Sequence, residues 1–132
     1  MNGLYRSMLI GAGATGLLAM LAAAATPSAL RQAEGGLWEI ARSGADPVRQ
    51  CVASPATLAQ FEHRNASCTR VVVRDSGSQA TIHYTCPGGG FGHSNVTVLT
   101  RRLLRIETQG ISASAPFKYV LQARRVGNCP GH

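Results

Sequence analysis

The residues able to do chemistry crowd into one short stretch. His83, Cys86 and His93 lie within eleven positions, Ser94 adjoins His93, and Gly88, Gly89, Gly90 and Gly92 fall between them. Two imidazoles and a thiolate are zinc-type donors. A histidine beside a serine invites a nucleophilic reading, and a glycine run a phosphate-loop reading. Each fails on a local physical ground. The four cysteines, Cys51, Cys68, Cys86 and Cys129, are an even set expected to pair as two disulfides, which removes Cys86 as a thiolate. His83 and Cys86 are an odd number of positions apart, so on a strand they take opposite faces, and so do His93 and Ser94. The glycine run lacks a Lys-Ser/Thr ending and precedes a strand pattern rather than a helix. No Gly-x-Ser-x-Gly elbow occurs, and the six acids are scattered. We therefore expect no catalytic residue, no cofactor and no metal, with His83 and His93 as ordinary surface or hairpin residues.

Gly11-Ala12-Gly13-Ala14-Thr15-Gly16 matches a dinucleotide-binding fingerprint, with Glu34 near the position of a ribose-binding acid. Its context is wrong for that use. Arg6 precedes an uncharged run from Met8 to Ala25, which ends in four alanines before Thr26-Pro27. A positive n-region, an apolar core and a small-x-small end make a secretory signal peptide. Residues 1–25 are expected to be removed, with cleavage after Ala29 as the alternative site. The mature form is expected to carry no membrane span and to be periplasmic or secreted. All four cysteines survive cleavage, and an oxidising compartment suits their pairing.

The 132-residue chain carries 13 Lys+Arg against 6 Asp+Glu, a net charge of +7. Lys118 is the single lysine, so the excess is almost entirely arginine. A planar guanidinium matches carboxylate and phosphate better than a point ammonium does. Arg101, Arg102 and Arg105 surround one expected hairpin turn and are expected to form a patch, while Arg124 and Arg125 end the last expected strand. These five are the candidate anion-binding residues. The expected partners are anionic envelope components or an acidic protein. Nucleic acid is not expected, because the chain is exported and its aromatics do not interleave with the arginines.

The elements that position these groups read as strands. Residues 26–35 form a polar lead-in and 36–130 one domain. Leu37–Arg42 suits a first strand, Ser43–Pro47 a turn and Val48–Val52 a second strand. Ser54-Pro55 is a helix start, with Leu58 and Phe61 on one face of a short helix over 56–62. From Thr69 the period is two. Ala80, Ile82, Tyr84 and Cys86 share one face and Thr81, His83 and Thr85 the other. Further strands are expected at Asn95–Thr100, Leu103–Thr108 and Phe117–Val126, with residues 111–116 ambiguous. Six or seven short strands separated by frequent turns predict an all-β, mainly antiparallel domain. Its expected form is a curved meander or partial barrel with one short helix and disulfide staples.

Four cysteines allow three connectivities. Cys51–Cys68 brackets the short helix and Cys86–Cys129 pins the C-terminal segment, so this pairing is expected.

Gly36-Leu37-Trp38-Glu39 at the start, Cys51 and Cys68 around the helix, Tyr84-Thr85-Cys86-Pro87-Gly88-Gly89-Gly90 in the middle and Arg124-Arg125-Val126-Gly127-Asn128-Cys129-Pro130 at the end resemble the DUF 3617 family. The resemblance covers roughly residues 35–130. It implies a small exported bacterial domain with a disulfide plan, and it implies no reaction. Members often carry Asp between the final Gly and Cys, where this chain has Asn128.

The expected function is a non-catalytic exported envelope binding or accessory module with a basic surface. The alternatives are a small periplasmic hydrolase-like enzyme built on His83 or His93, and a purely structural partner domain.

Overall fold

The computed structural model describes residues 26–131 together with Gly13 and Gly16. The expected signal peptide and the fingerprint-like glycine run lie outside these residues, apart from those two glycines.

Seven strands form one antiparallel sheet: β1 (Gly36–Arg42), β2 (Val48–Val52), β3 (Thr69–Ser76), β4 (Gln79–Thr85), β5 (Phe91–Thr100), β6 (Leu103–Ser112) and β7 (Ala115–Gly127). Their spatial order is β2-β1-β7-β6-β5-β4-β3. The last five strands are a meander of successive hairpins. β1 pairs with the free side of β7, and β2 forms the far edge. The all-β antiparallel expectation holds, and the sheet is open between the edges β2 and β3.

Strict alternation of side chains creates two faces. Ile82 and Tyr84 on β4, Val96 and Val98 on β5, Leu104 and Ile106 on β6, and Leu121 and Ala123 on β7 are buried on the inner face. Trp38 and Ile40 of β1 join them, and the indole N–H of Trp38 donates to the Glu34 carbonyl at 3.0 Å. A 3-10 segment, Pro55–His63, closes this face, burying Leu58 and Phe61. The expected same-face pair thus survives in a tighter helix, because residues three apart eclipse at three residues per turn. Proline opens the segment where a missing N–H costs nothing. A kink at Gln60 ends its regular course. Gln60 is buried and fully used. Its amide donates to the carbonyls of His63 and Ala66, and its Oε1 accepts from Arg70 of β3 at 2.6 Å.

The stretch before β1 adds to the core. A 3-10 turn at Leu30–Gln32 buries Leu30, beside Ala29 and Ala33. Asp75 at the end of β3 anchors it, accepting from Ser28 N at 2.6 Å, Ser28 Oγ at 2.8 Å and Ala29 N at 3.2 Å. The Ser28 bonds hold the Asp75 carboxyl below its ordinary range.

The disulfides correct the expected pairing. Cys51 joins Cys129 and Cys68 joins Cys86, instead of Cys51–Cys68 and Cys86–Cys129. Strand register is the reason. Thr69 lies opposite Thr85, so Cys68 just before β3 faces Cys86 just after β4. Leu37 lies opposite both Cys51 and Gly127, so the tail past β7 arrives beside β2. Nearness along the chain is a poor guide where hairpin pairing decides which ends meet. The two bridges fit an oxidising compartment. Among the described residues, no helix is long and apolar enough to cross a membrane.

Candidate functional site

The expected chemical residues divide between the two faces. His83 of β4 and His93 of β5 lie directly opposite each other on the outer face. Their ring centroids are 4.4 Å apart, and His83 Nε2 faces His93 Nδ1. Partial burial, followed by the neighbouring His83, pulls the His93 pKa below the ordinary histidine value, while a bond accepted by the Asn95 side chain opposes this. Sequence spacing alone did not bring these two rings together; the β4–β5 register does. Beside His93 lies a depression of about 510 Å³ whose lining includes Asn95, Glu107, Gln109, Lys118 and Val120. The acid of this depression is engaged, since Glu107 pairs with Arg105 at 2.9 Å.

Ser94 points the other way, as its parity requires. It is fully buried on the inner face, where its hydroxyl donates to the Ala59 carbonyl and lies 2.8 Å from Thr108 Oγ1. Cys86 is spent in its disulfide. The triad and zinc sets considered from the sequence are therefore not assembled by this fold.

Sequence reasoning missed an inner polar network. His63, at the end of the 3-10 segment, has Nδ1 3.0 Å from the Tyr84 hydroxyl. Its ring also meets Phe117 edge-on. The Tyr119 hydroxyl donates to Glu62 Oε2 at 2.6 Å, under the Arg42 guanidinium. Burial pushes the Tyr84 phenol up to about 12, helped by Glu62 and opposed by a bond to Thr108. Tyr119 is also pushed upward, first by burial and then by its bond to Glu62. These groups satisfy one another and fasten the 3-10 segment to the sheet. The available signal was weak: small or polar residues at inward parity, Ser94 and Thr108, opposite each other on β5 and β6.

The arginines gather at the end of the sheet that carries the β5–β6 turn. Glu34 is approached by Arg101 at 3.2 Å, Arg102 at 3.4 Å and Arg125 at 3.8 Å. Glu39 is approached by Arg49 at 3.2 Å and Arg124 at 3.4 Å. Five guanidinium groups meet two carboxylates, which leaves three positive charges uncompensated. Arg105 pairs with Glu107 at 2.9 Å rather than with Glu34, so it does not share a carboxylate with Arg101 and Arg102. Arg49 was not foreseen, although Glu39 and Arg49 sit symmetrically about the β1–β2 turn and face each other in register.

Arg125 differs in kind. Its side chain is only 13% exposed, and Nε donates to the Gly35 carbonyl at 2.8 Å. Its Nη2 donates to Asn128 Oδ1 at 2.7 Å. A Cβ on Gly36 would strike this guanidinium, which explains a glycine in the opening Gly-Leu-Trp-Glu. The conspicuous ends of the domain, Gly36 to Glu39 and Arg124 to Cys129, are thus one contact. A family model described as a protein of unknown function, DUF3617, matches residues 31–129. The chain belongs to the DUF3617 family. Within that DUF3617 match, Asn128 makes with an amide oxygen the bond an aspartate would make with a charge. Neither curated proteins nor solved structures give a match.

Proposed function

We propose that this DUF3617 domain is a non-catalytic exported binding module whose arginine end contacts anionic envelope surfaces in the periplasm or outside the cell. One observation carries the reading: five arginines converge on two glutamates at one end of the sheet. Arg49, Arg101, Arg102 and Arg124 are exposed there. Exposed ion pairs are worth only about 0–1 kcal/mol, so they exchange readily for an outside phosphate or carboxylate. The forked guanidinium suits that exchange.

The test is co-sedimentation of the disulfide-intact protein with vesicles of phosphatidylglycerol and phosphatidylcholine in equal parts. Binding is expected on these vesicles and not on phosphatidylcholine alone, and it weakens with added salt through screening. Each arginine near an anionic surface contributes about 1 kcal/mol, so Arg101→Ala with Arg102→Ala lowers binding about tenfold or more. Arg105→Ala leaves it unchanged. Equal loss in both variants, or salt-independent binding, contradicts the proposal.

A further inference from the structure

His83 and His93 present two imidazole nitrogens to one point on the outer face, beside a depression whose acid, Glu107, is paired with Arg105 and whose cation is Lys118. Directly opposed residues of an antiparallel pair have Cβ atoms about 4.5–5.5 Å apart, a spacing that lets two side chains share one small ligand. β4 is flanked by β3 and β5, and β5 by β4 and β6, so the backbone positions of both histidines are held from either side. The rings themselves are free to pivot, because His83 is exposed and His93 half-buried. Neutral imidazole bonds a borderline divalent metal at about 2.0–2.1 Å, so two nitrogens on a tetrahedral ion stand about 3.3 Å apart. A small outward rotation of the His83 ring reaches that separation.

The surroundings select the class of ion. No third His, Cys, Asp or Glu converges on the pair among the described residues. The nearest carboxylate in the depression, Glu107, is held by Arg105. Calcium and magnesium need a shell of oxygen ligands and carboxylate charge, which this place lacks. Neutral nitrogen donors suit Cu(II), Ni(II) and Zn(II), with Cu(II) the tightest at a given donor set. Gln109 lies opposite His93 in register and lines the same depression, which places an amide oxygen on the side of the open coordination positions. We propose that His83 and His93 form an open two-imidazole site for a divalent transition-metal ion, with Cu(II) bound in preference to Zn(II). Water and the Gln109 amide oxygen occupy the remaining positions. The site is separate from the arginine end and does not depend on that reading.

The experiment is titration of the disulfide-intact protein with copper(II) chloride, followed by calorimetry and by the imidazole carbon-bound proton signals in NMR. One equivalent is expected to bind, and the His83 and His93 signals broaden before those of His63 and His132. Zinc(II) chloride binds the same pair more weakly. His83→Ala and His93→Ala, each checked for an unchanged melting curve, lower copper affinity by about tenfold or more, as loss of a metal-supporting group does. Affinity unchanged in both variants, first broadening at His132 or His63, or absence of saturable binding overturns the site.

Discussion

Gly92 lies opposite Tyr84 across β4 and β5, and a β-carbon there would run into the phenol ring. Gly110, opposite Gly92 on β6, is equally confined, by the Phe91 carbonyl. Gly92 leaves room for the Tyr84 ring, which His63 meets edge-on. Gly92→Ala is therefore expected to destabilise the domain by about 1–3 kcal/mol, the cost of overpacking, read as a lower urea midpoint at constant slope. Arg125→Ala is expected to cost a similar amount, about 1–3 kcal/mol, by removing a mostly buried side chain together with its charged hydrogen bonds to the Gly35 carbonyl and Asn128. Arg101→Ala at the exposed turn stays within about 0.5 kcal/mol. Equal effects of the two arginine changes would contradict the structural role given to Arg125. The buried phenols add a pH signature. Unfolded tyrosine ionises near pH 10, whereas Tyr84 in the fold is pushed up to about 12 and Tyr119 is raised as well. The folded state holds these protons longer, so their stabilisation is full below about pH 10 and declines as pH rises through the folded values. Urea unfolding at about pH 8 and about pH 11 checks this, with the lower stability expected at the higher pH.

Between elements, the staples join strand ends that pairing has already brought together. Cys68–Cys86 closes the open end of the β3–β4 hairpin, with a sequence separation of 18. Cys51–Cys129 ties the tail across β1 to edge strand β2, with a separation of 78. Chain-entropy scaling assigns about 3 kcal/mol to the first and about 4.5 kcal/mol to the second. Replacing Cys51 and Cys129 together by alanine is thus expected to lower the melting temperature more than replacing Cys68 and Cys86, and calorimetry of the two double variants decides the order. Peptide mapping under non-reducing conditions tests the connectivity itself. Much of this architecture is legible in the sequence. Alternation marks β4, where Ala80, Ile82 and Tyr84 all turn inward, and turn residues bound β1 and β2. β5 begins at Phe91, earlier than Asn95, because Gly92 reads as a loop residue until its partner Tyr84 is known. β6 and β7 meet at Ala113 and Ser114, with φ of 48° and 65°, and neither residue type advertises a left-handed turn. The disulfides and the His83–His93 pair were hidden for one shared reason: both depend on register, and the Pro87-to-Gly90 loop does not disclose which residues it places opposite each other.

For the whole molecule, the two faces and the two ends have separate characters. The inner face is apolar and closed by the 3-10 segment. The outer face carries the histidine pair, with Val71, Val73, Phe91 and Val120 exposed among the β-strands. Edge strand β3 is guarded against pairing with a second chain by Arg70, Arg74 and the bulge between Val72 and Arg74. The end carrying the β5–β6 turn concentrates positive charge, and the proposed binding rests on that placement rather than on net charge spread evenly. A diffuse charge would bring many orientations to an anionic surface, whereas a charged end brings one. The most direct measurement is NMR of the isotopically labelled domain with phosphatidylglycerol-containing bicelles that carry a paramagnetic headgroup label. The account predicts that amide signals of Leu99 to Leu103, Arg124 and Arg49 are broadened first, and that those of the β4–β5 loop and the β6–β7 turn, at the opposite end of the sheet, persist. Broadening centred on the histidine pair or on edge strand β3, or uniform broadening over the surface, would contradict it.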